Sequence, residues 1–227
     1  RIVELYARCR GNLVRVHEEL IGEGAELSYQ ALTGFCRRRE LGRAPKPPAG
    51  NYDFAAGQEM QHDTSPFKWE IGGVKRIVQI ASLVLCFSRM IFIQLYSCFT
   101  RFECKVFLTE AFKYFDGVCK TCMVDNTSVI RLKGTGKDMV PVPEMVCFSK
   151  RFDFDFVAHE IGDANRSAGV EGHFRYVQGN FFSGREFRDW GDANAQALQW
   201  CDKVNAKYSN KLRSSRRDLF ATERLAL

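Results

Sequence analysis

No second CxxC and no pair of histidines follows Cys119 and Cys122 at zinc-site spacing. A four-ligand zinc module is therefore not expected, and the two cysteines read as small apolar residues at the start of a strand. The nine cysteines are odd in number and scattered, and no leader opens the chain. Both features point to a reducing, cytoplasmic setting rather than secretion. An uninterrupted apolar run of membrane-spanning length is missing as well. The most apolar stretch, residues 77–96, contains Gln79, Ser82, Ser88, Arg89 and Gln94, and an Arg near a bilayer centre is costly. Its β-branched cluster Ile77, Val78 and Ile80, with a break at Ser88-Arg89, predicts two buried strands of a hairpin instead. The chain lacks an initiating Met, so a segment of a longer reading frame is expected. Acidic residues are absent from 203–217, where Lys203, Lys207, Lys211, Arg213, Arg216 and Arg217 fall.

What is present is ordinary in bulk. Of 227 residues, 45% are hydrophobic and 26% charged, enough for one substantial core and a small accessory domain. The net charge of +6 is compatible with a polyanionic partner and equally with plain solubility. The acid-free run at 203–217 reads either as a phosphate-binding surface, with Lys211 and Arg213 as contacts, or as a solvated helix end.

Residues 1–40 carry a three-helix pattern. Ile2, Leu5 and Tyr6 mark the first helix, Asn12 can cap a second with Leu13, Val16 and Leu20 inward, and Ser28 a third with Leu32, Phe35 and Cys36 inward. This is a helix-turn-helix arrangement. Tyr29, Gln30, Thr33, Arg37 and Arg38 lie off the apolar stripe of the third helix, where a recognition helix presents groups to base edges and phosphates. A solvated face with favourable charge at a helix C-terminus is the plainer reading. Residues 41–52, with Pro45, Pro47 and Pro48, have the composition of a semi-rigid linker.

From residue 53 the pattern alternates. Strands are expected at 58–63, ending at Pro66, at 74–87, 90–96, 120–124 and 154–158. Helices are expected at 101–115, with Phe102, Val106, Phe107 and Phe112 inward, at 144–152, and at 192–208, with Ala193, Ala197, Leu198, Cys201 and Val204. Val170, Phe174, Val177 and Phe181 recur at helical spacing and form one stripe. The expected division is 1–40 helical DNA-binding subdomain, 41–52 linker, 53–190 core and 191–227 helical basic extension.

Three acids stand at the ends of local patterns: Asp63 in Gln61-His62-Asp63-Thr64, Asp125 after Met123-Val124, and Glu171 in Val170-Glu171-Gly172. Separations of 62 and 46 positions require a tertiary fold to bring them together. Singly each has a plain reading: a strand end, an Asp-Asn turn, a helix start. Jointly they have the make-up of a carboxylate triad for Mg²⁺, a hard ion held by few carboxylates plus substrate phosphate oxygens. Strand alternation turns His62 away from Asp63, and Asp153 and Asp155 describe a wet strand face.

The order of elements, with Asp on the first strand, Asp after the fourth and Glu on a late helix, resembles the ribonuclease-H-like fold of DDE transposases and retroviral integrases. The local wording narrows it. Gly57-Gln58-Glu59-Met60-Gln61-His62-Asp63, Phe99-Thr100-Arg101-Phe102-Glu103, Val124-Asp125-Asn126, Val170-Glu171, Phe174-Arg175-Tyr176-Val177 and Asn180-Phe181-Phe182 resemble the IstA transposases of the insertion-sequence twenty-one family. The resemblance implies an α/β mixed sheet flanked by helices, preceded by the helix-turn-helix subdomain. It further implies a DNA transposase using Mg²⁺, or Mn²⁺ in its place, on Asp63, Asp125 and Glu171. By the same resemblance such a protein would act on terminal repeats and target DNA as a homo-oligomer, with an ATPase helper, at the bacterial nucleoid. Members commonly carry Lys or Arg around the glutamate, where this chain has Ser167, Ala168, Gly169 and Gly172. Fewer phosphate contacts follow. A catalytically decayed or truncated relative that only binds DNA is the alternative.

Overall fold

The computed structural model describes residues 1–39, 41, 54–125, 127–159 and 172–227. They fall into two compact units: the described parts of 1–50 with those of 167–186, and of 51–166 with 187–227.

In the larger unit, β1 (Glu59–Ile71) and β2 (Val74–Leu85) form a long antiparallel hairpin. Its turn, Gly72-Gly73, has φ of 62° and 73°, a conformation that glycine adopts without steric cost. β3 (Ile91–Tyr96) pairs antiparallel with β2 after a break at which Arg89 is left-handed. α4 (Arg101–Phe115) starts at a capping box between Thr100 and Glu103 and stops at left-handed Asp116. β4 (Thr121–Val124) then returns parallel to β1. A small hairpin of β5 (Arg131–Lys133) and β6 (Val140–Pro141) follows, and α5 (Pro143–Phe152) leads to β7 (Asp155–Ala158), parallel to β4. The five-stranded order is β3-β2-β1-β4-β7.

The core lies between this sheet and α4 and α5. Met60, Ala81, Leu83, Leu85 and Phe92 on one sheet face pack with Cys104, Phe107, Leu108, Ala111, Phe112 and Phe115 of α4 and Met145 of α5. Aromatic pairs tie it together, among them Phe92 with Phe107 and Phe112 with Phe154. Cys119 and Cys122 are buried in the same cluster. α7 (Trp190–Ala206) packs against β3. A short hairpin of β8 (Tyr208–Ser209) and β9 (Ser214–Ser215) joins it to α8 (Arg216–Glu223), whose capping box pairs Ser215 with Asp218.

Several expectations are corrected. β1 does not end before Pro66 but runs on to Ile71. The missing N–H is tolerated because β4 has already stopped at the level of His62, so no described strand pairs with β1 at Pro66 on that side. Phe102, Val106 and Leu198 are exposed at 68%, 38% and 44%, because α4 and α7 have two apolar stripes and the sheet covers only one. The basic run is not one helix: the chain turns back at 208–215.

In the smaller unit, α1 (Ile2–Arg8), α2 (Leu13–Gly22) and α3 (Tyr29–Arg38) bury Leu5, Cys9, Val16, Leu20, Leu32 and Cys36 together. Asn12 and Ser28 cap α2 and α3 as expected. α6, helical over 172–177 and π-helical over Gln178–Phe182, brings Phe174, Val177 and Phe181 to buried positions. The Asn12 side chain donates to the Gly179 carbonyl. Arg15, buried at 6% exposure, reaches Glu18 and Glu19 and donates to the Ser183 carbonyl at 3.3 Å. Those contacts satisfy the guanidinium out of water.

Candidate active site

β4 is short. Its last residue, Val124, stands opposite His62 on parallel β1, so Asp125 leaves the sheet beside the point where β1 continues as Asp63. Neighbouring strands lie roughly 4.8 Å apart, and the register alone therefore makes neighbours of two acids 62 positions apart. They share one cleft with His62, Thr64, Phe99, Val124, Thr127, Val129 and Ile130. After Asp125 the chain turns at once: its carbonyl accepts from the Thr127 N–H at 2.7 Å, and the Thr127 carbonyl from the Arg131 N–H at 2.9 Å.

The two carboxylates differ in environment. Asp125 is exposed, whereas Asp63 is partly buried. Burial first, and the negative charge of Asp125 in addition, push the Asp63 carboxyl up to about 6, against the N–H of Thr64, which donates to its Oδ1 at 2.6 Å. A carboxylate that resists ionisation beside another is relieved by a cation placed between them. Hard oxygen donors in this arrangement fit Mg²⁺ or Mn²⁺. Among the described residues no three His, Cys, Asp or Glu side chains converge on one metal position; Glu171, the third expected ligand, lies outside the described residues.

His62 turns to the other face, as strand alternation predicts. It is buried between Phe99 and Phe107, its Nδ1–H donates to the Ser82 carbonyl at 3.0 Å, and its Nε2 lies 3.7 Å from Cys104 Sγ. Burial pushes its pKa down to about 4, so the ring is a neutral packing element. On the Asp63 face, two residues back, Gln61 is 3.1 Å from His159 Nε2 at the end of β7. That pair was not read from the sequence, and only the β1-β4-β7 register reveals it.

The residues expected to contact DNA fall in both units. On α3, Tyr29, Gln30, Arg37 and Arg38 are exposed, Tyr29 standing edge-on to His17, while the Thr33 hydroxyl donates back to the Gln30 carbonyl. Lys211 and Arg213 are exposed in the turn between β8 and β9. No helix among the described residues is long and apolar enough to cross a membrane.

No family model matches the chain. It is 27% identical over 164 residues to the transposase for insertion sequence element IS640 of Shigella sonnei, covering 72% of this chain and 52% of that protein. Against the transposase for insertion sequence element IS21 of Pseudomonas aeruginosa the identity is 28% over 150 residues, covering 66% and 38%. The chain thus spans about half or less of the length of these relatives. Among solved structures, the simian T-cell lymphotropic virus intasome superposes with a TM-score of 0.54 at 13% identity, over 97% of this chain and 74% of that one. The HTLV-2 integrase catalytic core domain in complex with magnesium gives 0.50 at 14%, over 74% and 99%. The fold is the ribonuclease-H-like fold of integrase cores, and in sequence the chain resembles IS21-type transposases.

Proposed function

We propose that this relative of the IS21-type transposases is the DDE-type polynucleotidyl transferase part of an insertion-sequence transposase, cutting DNA to expose 3′-hydroxyls and joining them to target DNA. The observation that carries this reading is the pair Asp63 and Asp125, brought side by side where β4 ends, with the Asp63 carboxyl held up to about 6 by burial and by its neighbour. Asp63 and Asp125 are the metal ligands, with Glu171 from the segment before α6 as the third. When bound, Mg²⁺ or Mn²⁺ supplies activation of the attacking oxygen and stabilisation of the leaving one. The chain's own part is to hold the carboxylates on a rigid sheet, to wall the cleft with Phe99, Val129 and Ile130, and to keep His62 neutral and out of the chemistry.

The functional division follows the sequence: 1–40 a helix-turn-helix subdomain, 41–52 a linker, 53–190 the catalytic core and 191–227 a basic extension. Tyr29, Gln30, Thr33, Arg37 and Arg38 read or grip the element ends, and Lys211 and Arg213 hold phosphates. The assembly is a homo-oligomer on DNA, aided by an ATPase helper, at the nucleoid of a bacterial cytoplasm. A second reading, a decayed relative that only binds DNA, is favoured by Ser167, Ala168, Gly169 and Gly172 where cations are expected. Nicking of supercoiled plasmid with Mn²⁺, beside Asp125→Asn and an EDTA control, separates the two. Cutting that needs metal and Asp125 supports the enzyme; binding without cutting supports the second reading.

A further inference from the structure

The structure sorts the cations of the acid-free run into two kinds. Arg216 donates to the Val204 carbonyl at 3.1 Å, and Arg217 stands 3.8 Å from Asp202. Both are engaged with the fold. Lys207, Lys211 and Arg213 are exposed and, among the described residues, their side chains make no hydrogen bond or ion pair. Lys211 and Arg213 sit on the β8–β9 hairpin and Lys207 immediately before it, at the end of α7. Beside them, with Asn210, stands Tyr208, 61% exposed although aromatic.

The hairpin is a firm support for such a ring. Tyr208 pairs with Ser215, which caps α8 and is buried. Residue 207 closes the end of α7, its N–H donating to the Lys203 carbonyl. The Ser209 hydroxyl accepts from the Leu212 N–H, and Arg213 completes the turn with φ of 52°. A ring held on such a frame loses little conformational freedom when a planar partner stacks on it.

Its place in the fold separates it from the cleft. Asn205, just before the hairpin, bonds Ile91, and Ile91 is level with Val84 and Gln61 across the sheet. The chain leaves α7 beyond that level, toward the start of β1. Two strand spacings, roughly 10 Å, lie between β3 and β1.

We infer that the β8–β9 hairpin is a binding site for single-stranded DNA, with one base stacked on Tyr208 and the backbone held by Lys207, Lys211 and Arg213. Exposed cations that track phosphates around an aromatic platform are the combination that single strands select, since their bases are free to stack. In duplex DNA the base faces are occupied, and only the cations have a role. This deepens the DNA-acting reading above, but it is independent of Asp63 and Asp125.

The test is fluorescence anisotropy of the whole chain with a labelled 12-nucleotide oligo-dT and with a duplex of equal length, for the wild type, Tyr208→Ala, Tyr208→Phe and the pair Lys211→Glu with Arg213→Glu. Tyr208→Ala is expected to weaken oligo-dT binding about tenfold and duplex binding less than twofold, with Tyr208→Phe close to wild type. The charge-reversed pair is expected to weaken both. Thermal unfolding measured beside each variant keeps misfolding apart from lost binding. Unchanged oligo-dT affinity in Tyr208→Ala overturns the inference. So does a Phe variant as weak as Ala, which would mark a hydroxyl-to-phosphate contact, or a preference for poly-glutamate over oligo-dT, which would mark an acidic protein partner. A wild type that binds oligo-dT through Tyr208 but never nicks plasmid refutes the transferase and leaves this site standing.

Discussion

Two edges of the sheet, the outer side of β3 and the side of β1 beyond the end of β4, are treated in opposite ways. At β3, α7 closes the edge with two asparagines eleven positions apart. Asn194 bonds both the N–H and the C=O of Leu95, and Asn205 both those of Ile91. Each side-chain amide does what a partner strand's peptide would do, which removes a template for edge-to-edge association. At β1 the partner strand simply stops, and the two carboxylates occupy the step where β4 ends. One edge is closed to preserve the fold, while the other carries the two carboxylates at the step. Burial and the neighbouring Asp125 raise the Asp63 carboxyl, as expected if it serves the chemistry proposed above.

The largest expected effect breaks the open edge chemically. If plasmid is nicked at all, Asp125→Asn lowers the rate by about 10³-fold or more, with plasmid retention on a filter unchanged. Retained cutting would remove Asp125 from the site. Next comes the closed edge. Asn205 is fully buried and also donates to the Tyr114 hydroxyl, so Asn205→Leu strands the N–H and C=O of Ile91 and is expected to cost on the order of 2 to 4 kcal/mol in urea unfolding. Asn194→Ala, only part-buried, is expected to cost about half as much by the same measure.

The two edges also differ in their response to pH. The folded pKa of Asp63, about 6, lies above its ordinary 3.8. In the native state the proton is therefore bound more tightly, and stability falls as pH rises from about 4 to about 6 and stays low above that. With EDTA present, Asp63→Asn is expected to stabilise the protein at pH 7 by roughly 1 to 3 kcal/mol and to make no difference near pH 3.5. A destabilised Asn variant at pH 7 would count against the argument. His62 acts in the opposite sense: its folded value of about 4 lies below 6.5, so its contribution is lost as pH falls from 6.5 toward 4. The difference between wild type and Asp63→Asn cancels that background. The smallest effect is expected at Phe102, where 68% exposure predicts that Phe102→Ser changes stability by no more than about 0.5 kcal/mol.

How legible these features were depends on the range of the interaction that makes them. α4 was read at its observed bounds because its apolar repeat is a local signal; the capping box of Thr100 with Glu103 and the left-handed Asp116 that fix its ends are equally local. The inward face of α4 was half misread, since a helix with two apolar stripes does not announce which one the sheet will cover. β1 was cut short at Pro66 because proline usually ends a strand, and only the early stop of β4 shows why it does not. The Gln61–His159 pair and the two asparagine closures left no signal in any window of sequence. Each depends on groups about 100 positions apart.

By itself the sequence determined the main helices and strands and their order, the caps at Asn12 and Ser28, the acids at strand ends and the family they resemble, because helical and strand periodicity and capping act within a few residues. The small hairpins β5–β6 and β8–β9 and the last helix α8 escaped it. The tertiary structure decided which acids became neighbours, which edge was closed and which cations of the basic run stayed free. Those outcomes follow from strand register and from where each strand ends, which are settled only when distant segments compete for the same hydrogen bonds and the same buried surface.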